Sequence, residues 1–151
     1  MESDPPALRK EHEHDGEHVM CLYPVSDIAN SLPLIRVTPD MSEKDGMEAI
    51  TVLGHCNGSL MGLVRFSGQT SWERHPEGDE LLHVISGATN ITLLSDEGSI
   101  HYLAKAGAAV LIPRGLWHSQ RPDPEVTLMF VTPSAGSERS TEGHPRTRAW
   151  P

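Results

Sequence analysis

The most informative part of this chain is residues 71–87, which read Ser-Trp-Glu-Arg-His-Pro-Glu-Gly-Asp-Glu-Leu-Leu-His-Val-Ile-Ser-Gly. Two segments typical of β-strands flank a turn-forming run of Pro, Glu, Gly and Asp. Side chains two residues apart on a strand share a face, so Glu73 and His75 are predicted to point the same way. Glu80, just past the turn, can fold back beside them. One imidazole and two carboxylates that converge in this way suit a divalent transition metal.

A second stretch, residues 107–118, supplies another histidine. It reads Gly-Ala-Ala-Val-Leu-Ile-Pro-Arg-Gly-Leu-Trp-His, a glycine followed by an apolar strand, a Pro-x-Gly turn and His118. This order of residues predicts that His118 lies at the end of a strand.

The first stretch resembles the first motif of the cupin superfamily. That motif is a glycine, five residues, His-x-His, three or four residues, Glu, six residues and a second glycine. Gly68, His75, Glu80 and Gly87 match it, and the glycine at the start fits loosely. Glu73 stands where the family's first histidine is expected.

The second stretch resembles the second cupin motif, a glycine, five residues, Pro-x-Gly, two residues and His. Gly107, Pro113, Gly115 and His118 match that spacing without a gap. The resemblance covers roughly residues 45–132. It implies an all-β fold, the double-stranded β-helix or jelly-roll barrel of the cupins.

The rest of the chain agrees with an all-β fold in a single domain. Short predicted strands recur about every eight to twelve residues with turn residues between them, which is typical of a sandwich or barrel. Val19–Val25 and Met47–Cys56 are predicted strands, and Asn57-Gly58 predicts a hairpin turn. We expect a barrel over residues 19–133. The polar ends are predicted to be a disordered tail, residues 1–18, and a flexible C-terminal tail, residues 134–151.

Composition narrows the choice of partners and compartment. The 12 basic and 21 acidic residues give a net charge of −9, which disfavours nucleic acid and anionic membranes as partners. No apolar run approaches the roughly 20 residues needed to span a bilayer. Cys21 and Cys56 lie far apart and form no Cys-x-x-Cys pattern, so two reduced, buried thiols are expected. Together these features predict a cytoplasmic protein.

The candidate metal ligands are His75, Glu80, His118 and Glu73. If all four bind, two carboxylates balance the charge of a divalent ion. If Glu73 does not bind, the other three form a two-histidine, one-carboxylate face suited to non-haem Fe²⁺. The carboxylates favour Mn²⁺ or Fe²⁺, while Zn²⁺ or Ni²⁺ would also be accepted.

A substrate pocket is predicted beside these ligands. Strand parity and position nominate Gln69, Leu82, Val84 and Trp117 as its lining, a partly apolar set that favours an organic acid, a diketone or an aromatic over a free sugar. The resemblance implies a metal-dependent enzyme for a small organic molecule, with oxygenase or Lewis-acid (isomerase, lyase or decarboxylase) chemistry, and a homodimer. The alternative is a non-catalytic module that binds or senses a small molecule or metal.

Overall fold

The computed structural model describes residues 20–143 and residue 145. Two short helices and nine strands lie in this part of the chain. In chain order they are α1 (Val25–Asn30), β1 (Ile35–Val37), α2 (Glu43–Ala49), β2 (Thr51–Cys56), β3 (Ser59–Gly68), β4 (Trp72–Arg74), β5 (Glu80–Ser95), β6 (Gly98–Lys105), β7 (Ala109–Ile112), β8 (His118–Pro133) and β9 (Glu138–Ser140).

The two longest strands, β5 and β8, form the centre of the sheet. They run antiparallel, from the pair Leu81 and Val131 to the pair Leu93 and His118. β8 also pairs with β3 and with the short strand β4, and β4 pairs in turn with β9. The sheet curls on itself as the double-stranded β-helix barrel that the sequence predicts, and this prediction is confirmed.

The barrel is closed around an apolar core. Alternate residues of β3, β5 and β8 point inwards and are almost fully buried, which is the period of two expected for strands with one face in a core. The central members of this core are Val64, Phe66, Leu82, Val84, Ile91, Val126, Leu128 and Phe130. The inward faces of these strands therefore form one apolar interior.

Of two predicted strands near the start of the chain, Val19–Val25 is wrong, since none of its described residues lies in a strand, and Met47–Cys56 is a strand only from Thr51. The structure has helix α1 from Val25 where the sequence predicted the end of a strand, because Pro24 and the acidic first turn suit a helix start. Helix α2 covers the first part of the predicted strand Met47–Cys56. The Ser42 hydroxyl accepts a hydrogen bond from the Asp45 N–H at 3.1 Å and so caps the N-terminus of this helix.

The C-terminal region also differs from the prediction. Residues 138–140 were expected in a flexible tail, but they form β9, which pairs with β4 along its whole length. The pairing is reinforced by an ion pair between Arg74 and Glu138, and the Trp72 indole donates to the Gly143 carbonyl at 3.1 Å. The predicted disordered tail, residues 1–18, lies outside the described residues.

Two further features bear on the earlier expectations. Cys21 and Cys56 are not joined by a disulfide, and both are exposed rather than buried as expected: Cys21 precedes α1, and Cys56 ends β2 at the hairpin turn. Within residues 20–143, neither helix is long and apolar enough to cross a membrane.

Candidate metal centre

The strand register brings the four candidate ligands together. Glu73 on β4 lies directly opposite His118, the first residue of β8. Residues directly opposite on antiparallel strands share a face of the sheet. His75 follows Glu73 by two residues, and Glu80 opens β5 after the turn. The sequence suggested that β4 and β5 pair with each other. In the structure each of them pairs with β8 instead.

The four side chains form one compact, buried cluster. Ligand atoms of Glu73, His75 and His118 all lie within 4.8 Å of one another. The Glu80 carboxylate lies between the two imidazoles, with its oxygens 3.1 Å from His75 Nε2 and 3.3 Å from His118 Nε2. His75, Glu80 and His118 are 5% exposed or less, so these polar groups are almost completely removed from water.

Hydrogen bonds on the far side of each imidazole leave its Nε2 facing the cluster. His118 Nδ1 lies 3.1 Å from the Leu116 carbonyl, which can only accept, so Nδ1 carries the proton. His75 Nδ1 lies 2.8 Å from the Ser137 hydroxyl, which can accept in the same way. Both Nε2 atoms are buried without an aligned hydrogen-bond partner among the described residues. A neutral imidazole held at Nδ1 with a free Nε2 lone pair is the usual form of a metal-binding histidine.

The charges of the cluster also fit a cation. Burial raises the pKa of Glu73, and the nearby charge of Glu80 raises it further. Burial also opposes ionisation of Glu80, but the imidazoles of His118 and His75 outweigh it and hold its pKa below the ordinary value. Burial alone would lower the pKa of His118, yet the Glu80 carboxylate reverses the effect and raises it. Two carboxylates therefore compete for ionisation in one dry site, and a divalent ion would remove this conflict.

The donor set thus fits a divalent metal. His75, His118, Glu80 and Glu73 would hold it with two neutral nitrogens and two carboxylates, whose charges together balance the ion. Thr132 fixes the carboxylate of Glu80 by donating its hydroxyl proton to Oε2 at 2.6 Å. Such outer contacts orient ligands before the metal arrives.

A cavity of about 500 Å³ opens from the cluster. Its inner wall is apolar, and its rim is formed by helix α2 and by the segment around β9. The wall contains Val64, Phe66, Leu82, Leu128 and Phe130. A cavity of this size and character can enclose a small organic molecule next to the metal ligands.

Only Leu82 of the four predicted pocket residues lines this cavity. Gln69 is exposed, because it follows Gly68 at the end of β3, where a positive φ of 94° turns the chain. Val84 points inwards but is fully buried among other residues of the apolar core, away from the cavity wall. Trp117 lines a separate outer groove, where the Arg74 guanidinium lies 4.8 Å from the centre of its ring. These three placements correct the sequence prediction.

Three polar residues around the cluster were not predicted from the sequence, namely Ser137, Arg139 and Thr132. Ser137 and Arg139 belong to the segment predicted as a tail, whose only strand signal is three residues long. Thr132 stands two residues after the buried Phe130 and shares its inward parity, which was a usable signal.

Comparisons with known proteins agree with this architecture. No protein-family model matches the chain. It is 32% identical over 89 residues to the uncharacterized protein YdbB of Bacillus subtilis (strain 168), a match that spans 58% of this chain and 73% of that protein.

Two solved structures share the fold. A cupin-2 domain containing protein from Shewanella frigidimarina aligns with a TM-score of 0.50 and 23% identity, over 63% of this chain and 95% of its own. An uncharacterized conserved protein with a double-stranded β-helix domain from Klebsiella pneumoniae aligns with a TM-score of 0.51 and 20% identity, over 62% of this chain and 84% of its own. The chain therefore has the fold of these cupin structures, a double-stranded β-helix.

Proposed function

We propose that this protein is a metal-dependent enzyme that acts on a small organic molecule. The observation that carries the proposal is that His75 Nε2 and His118 Nε2 converge on the Glu80 carboxylate in a buried site, where neither has an aligned hydrogen bond among the described residues. A merely structural site has no need of an adjoining apolar cavity, and this cluster opens into one. Mn²⁺ or Fe²⁺ fits the mixture of nitrogen and oxygen donors best.

The residues around the site have separable tasks. A divalent metal held here would supply Lewis-acid polarisation of a bound oxygen or, with Fe²⁺, reactivity towards O₂. Ser137 and Leu116 hold the two imidazoles in the orientation that presents Nε2, and Thr132 holds Glu80. The apolar wall keeps water away from the substrate, which strengthens every electrostatic interaction in the cavity.

Metal analysis of untagged protein tests the first half of this proposal. We expect close to one divalent ion per chain in the wild type and a large loss in His75→Ala and His118→Ala. His101→Ala is the matched control, since His101 is an exposed histidine on β6. Glu73→His is expected to keep the metal, because it restores the ligand that the cupin motif expects. A wild type without metal, or a metal that survives both alanine variants, would contradict the proposal.

Substrate screening tests the second half. The Fe²⁺-loaded protein is assayed for O₂ uptake with diketones, thiols and catechols, and the Mn²⁺-loaded protein for turnover of organic acids. Turnover that His75→Ala abolishes and His101→Ala retains is the expected result. Full metal occupancy without any turnover would favour a module that binds or senses a small molecule. The homodimer stays a prediction, which the mass from light scattering can test.

A further inference from the structure

Arg139 continues the row of ligands across the sheet. His118 lies opposite Glu73 on the β8–β4 pair, and Glu73 lies opposite Arg139 on the β4–β9 pair. Side chains that are directly opposite point to the same face, so all three face the cavity side. Neighbouring strands are about 4.8 Å apart, which places the backbone of Arg139 roughly two strand spacings from that of His118.

The guanidinium of Arg139 is held in place but keeps a free donor group. Its Nε donates to the Ser71 hydroxyl at 3.0 Å, and one terminal nitrogen donates to the Met41 carbonyl at 3.1 Å. Its other terminal nitrogen has no protein acceptor within residues 20–143, and no carboxylate there lies within 4.0 Å of the guanidinium. Two hydrogen bonds to neutral oxygens orient the group without neutralising its charge.

Among the described residues that line this cavity, Arg139 is the only lysine or arginine. The acids of the lining do not cancel it when a metal is bound, because Glu73 and Glu80 would then balance the ion. Glu138 is already paired with Arg74. Glu43 lies at the rim, in the first turn of α2. The wall therefore presents one uncompensated cation to a ligand that enters the cavity.

The remaining wall limits the size and character of that ligand. The apolar residues suit an aliphatic or aromatic body, and about 500 Å³ exceeds what a two-carbon acid needs. A guanidinium recognises a carboxylate through two parallel N–H donors.

We propose that the substrate is an organic acid with an apolar body, and that Arg139 binds its carboxylate while the metal ligands hold the metal at the reacting end. This inference rests on the proposed function, because it assumes a metal in the cluster. Arg139 is a specificity-determining residue in this arrangement and not a metal ligand.

Matched hydroxamate probes test the inference on the full-length, Mn²⁺-loaded protein. The probes are the 3- and 4-carboxy derivatives of benzohydroxamic acid, each compared with its carboxamide, so the metal-binding head is constant and only the distal charge differs. We expect at least one acid to bind about tenfold more tightly than its amide, as a charge-assisted hydrogen bond would allow. Arg139→Gln should remove that preference and leave the affinity of the amide unchanged.

Two controls separate recognition from a damaged fold. Arg139→Lys keeps the charge and should retain part of the preference. Arg121→Gln removes an exposed arginine of β8 outside the cavity lining and should retain all of it. Equal binding of acid and amide by the wild type, or a preference that survives Arg139→Gln, would overturn the inference while leaving the metal site intact. Protein that binds none of the four probes would overturn the proposed function and this inference with it.

Discussion

Ser137 fixes which nitrogen of His75 faces the metal cluster. Its hydroxyl lies 2.8 Å from Nδ1 and is the partner that the structure gives to that nitrogen. Without it, the ring could rotate and would no longer present Nε2 to a metal.

We therefore predict that Ser137→Ala lowers the affinity for Mn²⁺ about 10- to 100-fold, the range typical for loss of a hydrogen bond that orients a ligand. Competition with a fluorescent chelator measures the change. Ser134→Ala is the control, since Ser134 is a nearby exposed serine that lines the same cavity. An unchanged affinity in Ser137→Ala would mean that His75 is oriented by the barrel alone.

The motif spacing was sufficient to place His75, Glu80 and His118 in one cluster, because strand parity and turn position determine where these side chains point. Parity failed at Gln69 because Gly68 interrupts the strand before it. Ser137 could not be found in this way. It lies 62 residues from His75, in a segment with no alternation of apolar residues, and only the folded chain brings the two together.

Among the strands, β5 bends at the point where its hydrogen bonding to β8 is interrupted. The register of β5 against β8 shifts on both sides of Gly87, which has a φ of +74°. A Cβ at this position would collide with the Glu125 carbonyl oxygen. β5 nevertheless continues through Gly87 as one long strand that bends there.

Gly87→Ala is accordingly predicted to destabilise the protein by at least about 1–2 kcal/mol, the cost of the left-handed conformation for a residue with a Cβ. Gly46→Ala is the contrasting variant. Gly46 lies inside α2 with no atom within 4 Å of an added Cβ, so alanine there should stabilise by about 0.5–1 kcal/mol. Urea unfolding of both variants measures the difference, and a neutral Gly87→Ala would show that β8 can move aside.

Helix α2 is an element that residue patterns in the sequence do not predict. Its residues include Gly46 and few apolar positions, so neither helical nor strand periodicity is visible. Only the Ser42 cap and the acidic first turn indicate a helix, and both are equally common in loops. The helix forms one rim of the cavity. Because it lies outside both motifs, the motifs alone could not predict its position.

For the whole molecule, closure of the barrel couples the protonation of three candidate ligands to folding, namely Glu80, His118 and Glu73. Glu80, with a lowered pKa, contributes stability above its ordinary pKa of 4.5 that is lost as the pH falls through its folded value. His118, with a raised pKa, contributes stability below its ordinary 6.5 that is lost as the pH rises through its folded value. The raised pKa of Glu73 acts in the same direction as that of His118.

Metal-free protein is therefore expected to lose stability as the pH rises above about 6.5, while Mn²⁺ binding strengthens as the proton leaves the His118 imidazole. The rise in Tm caused by Mn²⁺ should be larger at about pH 8 than at about pH 6. Thermal unfolding with and without the metal measures it, with His118→Ala as the variant that should abolish the trend. A constant increment across this range would contradict the coupling.

The short strand β9 has a consequence for how this barrel could diversify. Its pairing partner is the three-residue strand β4, and its segment contributes Ser137 and Arg139 without belonging to either cupin motif. Substitution of a few residues in the β9 segment could therefore change the ligand preference while every candidate metal ligand stays the same. The substrate of one chain would then not predict the substrate of another that has the same two motifs but a different β9 segment.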